Sequence, residues 1–200
     1  MPLNIPNLLT WLRIMMIPLV IGVFYVPEPW LTSWHQNLIA TILFIAAAIT
    51  DWLDGYLARR LNQMSAFGAF LDPVADKLMI AAALIVLVEL GRLNAVIAVV
   101  IIGREIAVSA MREWMAKIGQ SKSVAVNLLG KVKTISQMIA VPMLLYHDRI
   151  SVFNPQRVGT WLMYLSALLT LLSMFYYLKL ALAPRPPGDR RRIDRRGTGP

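Results

Sequence analysis

Six hydrophobic segments of 20 residues or more, separated by short polar stretches, set the pattern of the chain. They cover residues 6–26, 35–57, 68–90, 93–117, 127–146 and 157–180. An α-helix needs about 20 mainly apolar residues to cross a bilayer. The pattern therefore predicts an all-α integral membrane protein, built as a bundle of six transmembrane helices.

Charged residues cluster at one end of each of the first five segments. They lie near the start of the first, third and fifth segments and toward the end of the second and fourth: Arg13, Asp51, Asp54, Asp72, Asp76, Arg104, Arg112, Lys131 and Lys133. Because successive transmembrane helices run in opposite directions, this alternation places all of these charges on one side of the membrane. We therefore predict a polar cavity at that face of the bundle.

The distribution of basic residues predicts which side this is. The loops on the opposite side, near 27–34, 91–92 and 147–157, contain only three basic residues, Arg92, Arg149 and Arg157. The other 17 of the 20 Lys and Arg residues lie on or toward the first side, and this excess identifies the cytoplasm. We treat 1–183 as one transmembrane domain and the Pro-, Gly- and Arg-rich residues 184–200 as a disordered cytoplasmic tail near anionic headgroups.

Composition narrows the possible functions. The chain is 58% hydrophobic, contains no cysteine and has only two histidines, His35 and His147. Disulfides and thiolate metal sites are therefore excluded, and a histidine zinc site is not expected. The formal charge of +9 would suit a nucleic-acid-binding protein. Since the basic residues follow the predicted membrane topology instead, we expect no nucleic-acid partner.

Four aspartates stand out in this apolar chain, in the spacing D51-x2-D54-G55-x2-A58-R59-x8-G68-x3-D72-x3-D76. Residues three or four apart share a helix face, so Asp51 pairs with Asp54 and Asp72 with Asp76. The two pairs can face each other across antiparallel helices. Unpaired carboxylates at this depth would repel and are costly, whereas hard divalent cations bind oxygen ligands and remove the charge. The alternative is that these aspartates pair with nearby arginines.

This spacing resembles the signature of the CDP-alcohol phosphotransferases, in which every fixed residue is matched here. The segments "NIPNLLTWLR", "GREIAVSAMREWMAKIG" and "GKVKTISQM" resemble the bacterial phosphatidylglycerophosphate synthase branch of that family. The resemblance extends to about Leu180. It implies a multi-pass enzyme of the bacterial inner membrane that transfers a phosphatidyl group from CDP-diacylglycerol to glycerol 3-phosphate and releases CMP.

The resemblance also implies roles for matched residues. The four aspartates would ligate two Mg²⁺ (or Mn²⁺) ions, and Asp76 would also be the general base. The CDP site would be formed by Asn7, Thr10, Asp51, Gly55, Ala58, Arg59 and Gly68. Small residues such as Gly55 and Gly68 also favour close helix packing in membranes, so they do not by themselves identify a ligand site. Similar enzymes are homodimers, and we expect the same here.

The acceptor would bind through basic residues at the same face. Glycerol 3-phosphate is an anion, and Arg104, Arg112, Lys131 and Lys133 are placed to contact its phosphate. Pairing of these residues with Glu105 and Glu113 is the alternative. Inositol phosphate, serine or phosphatidylglycerol could also be the acceptor within the same chemistry. A divalent-cation transporter is a different class of function, but the outer halves of the helices lack the polar residues that an ion path requires.

Overall fold

The computed structural model describes residues 5–60, 66–117 and 128–182, and this part of the chain is all-helical. The α-helices are α1 (Ile5–Gly22), α2 (Ser33–Arg60), α3 (Ala66–Glu89), α4 (Ala95–Lys117), α5 (Leu128–Tyr146) and α6 (Pro155–Leu182), and a short 3-10 helix, Val23–Tyr25, extends α1. These helices confirm the predicted segments to within three residues at every boundary except the end of α1. No β-strand occurs within the described ranges.

Three of the described helices are long and apolar enough to cross a membrane. The qualifying stretches are Asn7–Tyr25, Ser33–Leu57 and Pro155–Phe175. Large apolar side chains on the helix surfaces are exposed, for example Met15, Ile49 and Val99. Exposed apolar surface on this scale suits hydrocarbon rather than water. These features indicate a membrane protein.

Helix α1 lies between α2 and α3 and packs against both, whereas α2 and α3 make little direct contact. Helix α5 packs extensively against α6 and also against α2, and α6 packs against α4. Gly159 permits the close approach of α6 to α5, because a Cβ atom there would lie 3.0 Å from Leu144 Cγ and 3.1 Å from the Ala140 carbonyl oxygen. Because α1 lies between α2 and α3, it determines how the aspartate pairs of those two helices approach each other.

The apolar core lies about two to three helical turns from the aspartates. It includes Phe44 on α2, Leu84 and Leu87 on α3, and Val141 and Leu144 on α5. Phe44 precedes Asp51 by seven residues, and Leu84 follows Asp76 by eight, which corresponds to about two turns in each case. The core therefore separates a charged end of the bundle from an opposite end.

Arg92 links several elements at the opposite end. Its Nη1 donates to the Leu145 carbonyl oxygen at 2.7 Å, and its Nη2 donates to Asn37 Oδ1 at 2.7 Å. Asn37 in turn donates through Nδ2 to Asp148 Oδ2 at 3.0 Å. Gly91 makes this turn possible, since its φ of +68° lies in the left-handed region that favours glycine. This network ties the α3–α4 turn to α2 and to the end of α5.

Candidate active site

Arg13 of α1 lies between the two aspartates of α2. Its Nη1 is 2.7 Å from Asp51 Oδ1, and its Nη2 donates a hydrogen bond to Asp54 Oδ2. Arg13 and Asp54 are buried, whereas Asp51 retains partial exposure. One buried cation therefore compensates two carboxylates, as expected where charges leave water.

The aspartates of α3 meet the same region from the other side of α1. Thr10 Oγ1 donates a hydrogen bond of 2.6 Å to Asp72 Oδ1. Asp76 is half-buried and has no hydrogen bond or ion pair to the described residues. Electrostatic interactions connect Asp54 with Asp72 and Asp76 with Asp51. The two pairs thus approach each other across α1 rather than across a direct α2–α3 contact.

The arrangement shows, for two of the four aspartates, the alternative that the sequence left open. Asp51 and Asp54 both pair with Arg13. In the described ranges, no group of three Asp, Glu or His side chains is close enough to hold a metal ion. The chemistry of the donor set still fits a hard divalent cation, because four carboxylates from two helices supply only oxygen ligands.

A cluster of basic residues lies beside the aspartates. Arg104 of α4 and Lys133 of α5 are both buried and both contact Glu105: the Arg104 Nη1–Glu105 Oε1 distance is 3.2 Å, and Lys133 Nζ donates to the same oxygen. Arg104 Nη2 also donates to Ser173 Oγ of α6 at 2.8 Å. The pairing with Glu105 that the sequence left open is therefore present for both residues. Two cations and one carboxylate leave this cluster positively charged.

A small cavity of about 50 Å³ is shared by Asp76 and by two members of the basic cluster, Glu105 and Lys133. It is lined from α3, α4 and α5 by Asp76, Lys77, Ile80, Glu105, Lys133, Thr134, Gln137 and Met138. Its volume accommodates a few water-sized groups. Asp76 and Lys133 also interact electrostatically. The cavity places a carboxylate and an ammonium group around one small polar space.

The other residues of the predicted CDP site are only partly described. Asn7 and Thr10 are buried on α1, Gly55 is partly buried on α2, and Gly68 is buried on α3. They share the helices that carry the aspartates. The side chains of Ala58 and Arg59 in the predicted CDP site, and of Arg112 and Lys131 in the predicted acceptor site, lie outside those that the structure describes. The predicted tail, 184–200, also lies outside the described residues.

Two features of the site were missed by sequence reasoning. The sequence places Arg13 only on the charged face and does not identify its partners, because the position of α1 between α2 and α3 is not encoded in any local pattern. Gln137 is buried beside the cavity but carries no charge that marks it. A recognisable signal was available for α6, where Ser166, Thr170 and Ser173 recur at helical spacing and are fully buried.

Comparison with known proteins gives consistent matches over most of the chain. Residues 3–172 match the family model for CDP-alcohol phosphatidyltransferase. A CDP-diacylglycerol–glycerol-3-phosphate 3-phosphatidyltransferase from Shigella flexneri serotype 5b (strain 8401) is 47% identical over 185 residues, which are 92% of this chain and 97% of the relative. A protein of the same name from Escherichia coli (strain K12) is 46% identical over 92% of this chain and 97% of its own length. Another from Salmonella choleraesuis (strain SC-B67) is 46% identical over 90% of this chain and 96% of its own length.

Proposed function

The chain belongs to the CDP-alcohol phosphatidyltransferase family, and we propose that it transfers the phosphatidyl group of CDP-diacylglycerol to glycerol 3-phosphate. The products are phosphatidylglycerophosphate and CMP. Relatives that carry this reaction in their names match more than nine-tenths of the chain at 46–47% identity. The observation that supports the proposal in the structure is the cavity that Asp76 and Lys133 share, because phosphoryl transfer to an anionic acceptor needs a base and a cation together.

The donor lipid would enter from the bilayer with its CDP group at the charged end of the bundle. The proposed CDP site combines two polar residues of α1, four residues of α2 from the first aspartate onward, and a glycine that precedes the aspartates of α3. These residues are Asn7, Thr10, Asp51, Gly55, Ala58, Arg59 and Gly68. Arg59 would contact the diphosphate, since a guanidinium group suits bidentate binding of phosphate oxygens. The small residues leave room for the nucleotide beside the carboxylates.

Divalent cations are generally used in this family, and the aspartates are the residues that would hold them. We propose two Mg²⁺ or Mn²⁺ ions bound by Asp51, Asp54, Asp72 and Asp76. When bound, such ions neutralise phosphate charge and hold the diphosphate in position. Arg13 now pairs with Asp51 and Asp54. When these carboxylates bind the metal ions, the Arg13 guanidinium would turn toward the diphosphate or another hydrogen-bond acceptor.

The transfer step requires one base and one leaving group. Asp76 would accept the proton of the primary hydroxyl of glycerol 3-phosphate. The hydroxyl oxygen would then form a bond to the phosphorus that carries diacylglycerol, while the bond from that phosphorus to the CMP oxygen breaks and CMP leaves with the electron pair. The protein contributes mainly position and charge, as is usual for phosphoryl transfer.

The acceptor phosphate would bind the basic cluster. Lys133 and Arg104 are both buried, and Lys133 lines the cavity. Glu105 now occupies part of the binding capacity of both cations. Their two positive charges exceed the single charge of Glu105, so an arriving phosphate dianion is still attracted. Arg112, about two turns beyond Arg104 on α4, and Lys131, two residues before Lys133 on α5, would extend this cation surface toward the aqueous side.

We also propose the cellular setting that this chemistry requires. The protein would be a six-span protein of the bacterial inner membrane, with its transferase domain at 1–183 and its site open to the cytoplasm, where glycerol 3-phosphate is available. The basic tail, 184–200, would lie on the same side. A homodimer within the membrane is the proposed assembly.

The proposed function can be tested by CMP release from purified protein in detergent. The assay supplies CDP-diacylglycerol and Mg²⁺ with glycerol 3-phosphate, inositol 1-phosphate, serine or phosphatidylglycerol. We expect release with glycerol 3-phosphate alone, and loss of release in Asp76→Asn, which cannot accept the proton but should still bind the donor. Asp148→Asn is a matched control because Asp148 lies at the opposite end.

Each result distinguishes a different part of the proposal. Release with another acceptor would preserve the chemistry and overturn the assignment of glycerol 3-phosphate. Near-normal turnover in Asp76→Asn would overturn its role as the base. Folded protein that releases no CMP with any acceptor would contradict the transferase function and favour the cation-transporter alternative, which metal flux into vesicles would then test.

A further inference from the structure

Gln137 lines the cavity but is not used by the mechanism proposed above. Its side chain is only 4% exposed, and its Nε2 has no hydrogen-bond partner among the described residues. A buried amide donor without a partner is costly, and most buried polar groups in proteins are hydrogen-bonded. The donor is therefore placed where a ligand could accept its hydrogen bond.

The neighbours of Gln137 indicate what kind of ligand group this would be. Lys133 precedes Gln137 by four residues on α5, so the two side chains share one helix face, and both line the cavity with Asp76 of α3. A ligand with its phosphate near Lys133 and its reacting hydroxyl near Asp76 would therefore share this cavity with the Gln137 amide. The cavity has room for only a few water-sized groups.

We propose that Gln137 recognises the secondary hydroxyl of the acceptor, by donating a hydrogen bond from Nε2 to that oxygen. This inference rests on the proposed function, since it assumes a three-carbon polyol phosphate in the cavity. In glycerol 3-phosphate the secondary hydroxyl lies between the phosphate and the primary hydroxyl, and Gln137 lines the same cavity as the residues proposed to bind those two groups, Lys133 and Asp76. Gln137 would thereby determine acceptor specificity and hold the primary hydroxyl toward the base.

The test compares two acceptors that differ only at the recognised group. Glycerol 3-phosphate has the secondary hydroxyl, and 3-hydroxypropyl phosphate lacks it. The variant Gln137→Met retains length and volume but has no N–H donor. Met138→Leu is the matched control, since Met138 lines the same cavity without a hydrogen-bonding group that the proposal uses.

We expect the wild-type protein to prefer glycerol 3-phosphate by roughly 10- to 100-fold in kcat/KM, the range expected when a buried donor loses its partner. In Gln137→Met this preference should fall to about threefold or less, because activity with glycerol 3-phosphate falls while activity with 3-hydroxypropyl phosphate is retained. Met138→Leu should keep the wild-type ratio.

The outcomes separate this inference from the proposed function. Wild-type protein that releases no CMP with glycerol 3-phosphate would contradict the proposed function itself. Active wild-type protein that uses both acceptors equally would overturn the role of Gln137 without any variant, even if Gln137→Met did not fold. An unchanged preference in folded Gln137→Met would overturn it too, while leaving the transferase function intact.

Discussion

At the scale of single residues, Arg13 is one buried cation that compensates two carboxylates. It is 1% exposed and is the ion-pair partner of both Asp51 and Asp54. Removing one partner from a buried ion pair leaves an uncompensated charge, which costs roughly 3–5 kcal/mol. Asp51 is 38% exposed, so solvent screening places the expected cost toward the lower end of that range.

Arg13→Gln is therefore expected to lower the melting temperature of the detergent-solubilised protein in EDTA. Adding Mg²⁺ should restore more stability to this variant than it adds to wild type, because an added cation replaces the positive charge that the two carboxylates have lost. The measurement is thermal unfolding with and without Mg²⁺, and it does not depend on turnover.

Arg92→Gln is the control for a general loss of an arginine. Arg92 also joins several elements, but through carbonyl and amide oxygens rather than a carboxylate pair. This variant should be destabilised without a special response to Mg²⁺. Equal Mg²⁺ responses in wild type, Arg13→Gln and Arg92→Gln would contradict the view that Arg13 compensates the carboxylate cluster.

The sequence predicts the residues of the site better than their contacts. The spacing of Asp51, Asp54, Asp72 and Asp76 marks them because carboxylates are costly in an apolar chain. Their pairing with Arg13 depends on which helices are neighbours, and a local pattern does not contain that information. Gln137 is uncharged, so only its burial beside the cavity distinguishes it from an ordinary surface glutamine.

At the scale of helices, the contact between α5 and α6 depends on Gly159. The site of its missing Cβ is 3.0 Å from Leu144 Cγ and 3.1 Å from the Ala140 carbonyl oxygen. Small residues at such positions allow helix backbones to approach closely in membranes. The α5–α6 contact in turn supports Lys133, whose carbonyl oxygen lies 3.5 Å from Ser166 Oγ.

Gly159→Ala should destabilise the protein although alanine is the better helix former. The helix preference of alanine over glycine contributes about 1 kcal/mol, whereas forcing an extra methyl group into a packed contact costs roughly 1–3 kcal/mol. We expect a net loss in the free energy of unfolding, measured by denaturation in mixed micelles. Gly103→Ala is the matched control, since nothing lies within 4 Å of a Cβ there.

Gly103→Ala should be as stable as wild type or more stable. If Gly159→Ala behaved in the same way, α5 and α6 would have to be farther apart than the structure places them. The paired comparison removes the common effect of helix preference, so the difference between the two variants reports the packing contact.

Helix positions are predicted well for a physical reason. Each predicted segment is mainly apolar over 20 or more residues, and short polar stretches separate the segments. For this reason α2 to α6 begin and end within three residues of the predicted segments. Helix neighbours are not predicted in this way. A helix that is apolar all round has no single face that identifies its partner, and this is why the position of α1 between α2 and α3 was not anticipated.

At the scale of the whole molecule, charge and apolar surface are arranged along one axis. The charged end contains the aspartates and the basic cluster, and the hydrogen bonds of Arg92 lie at the opposite end. Exposed apolar side chains such as Leu19, Ile42 and Leu168 cover the helix surfaces between the two ends. This order suits a bundle placed across a bilayer, with polar groups at both ends and apolar side chains between them.

The orientation of this axis can be measured directly because the chain has no cysteine. Glu28→Cys places a single thiol in the exposed segment after the 3-10 helix, and Glu113→Cys places one on the exposed surface of α4 beyond Arg104. A membrane-impermeant maleimide should label Glu28→Cys in intact bacterial spheroplasts, and Glu113→Cys only after permeabilisation, if the charged end lies in the cytoplasm as we propose from the basic excess. Labelling in the reverse order would place the carboxylates outside the cell, away from cytoplasmic glycerol 3-phosphate, and would contradict the proposed orientation. Labelling of both variants from outside would contradict a single orientation across the membrane.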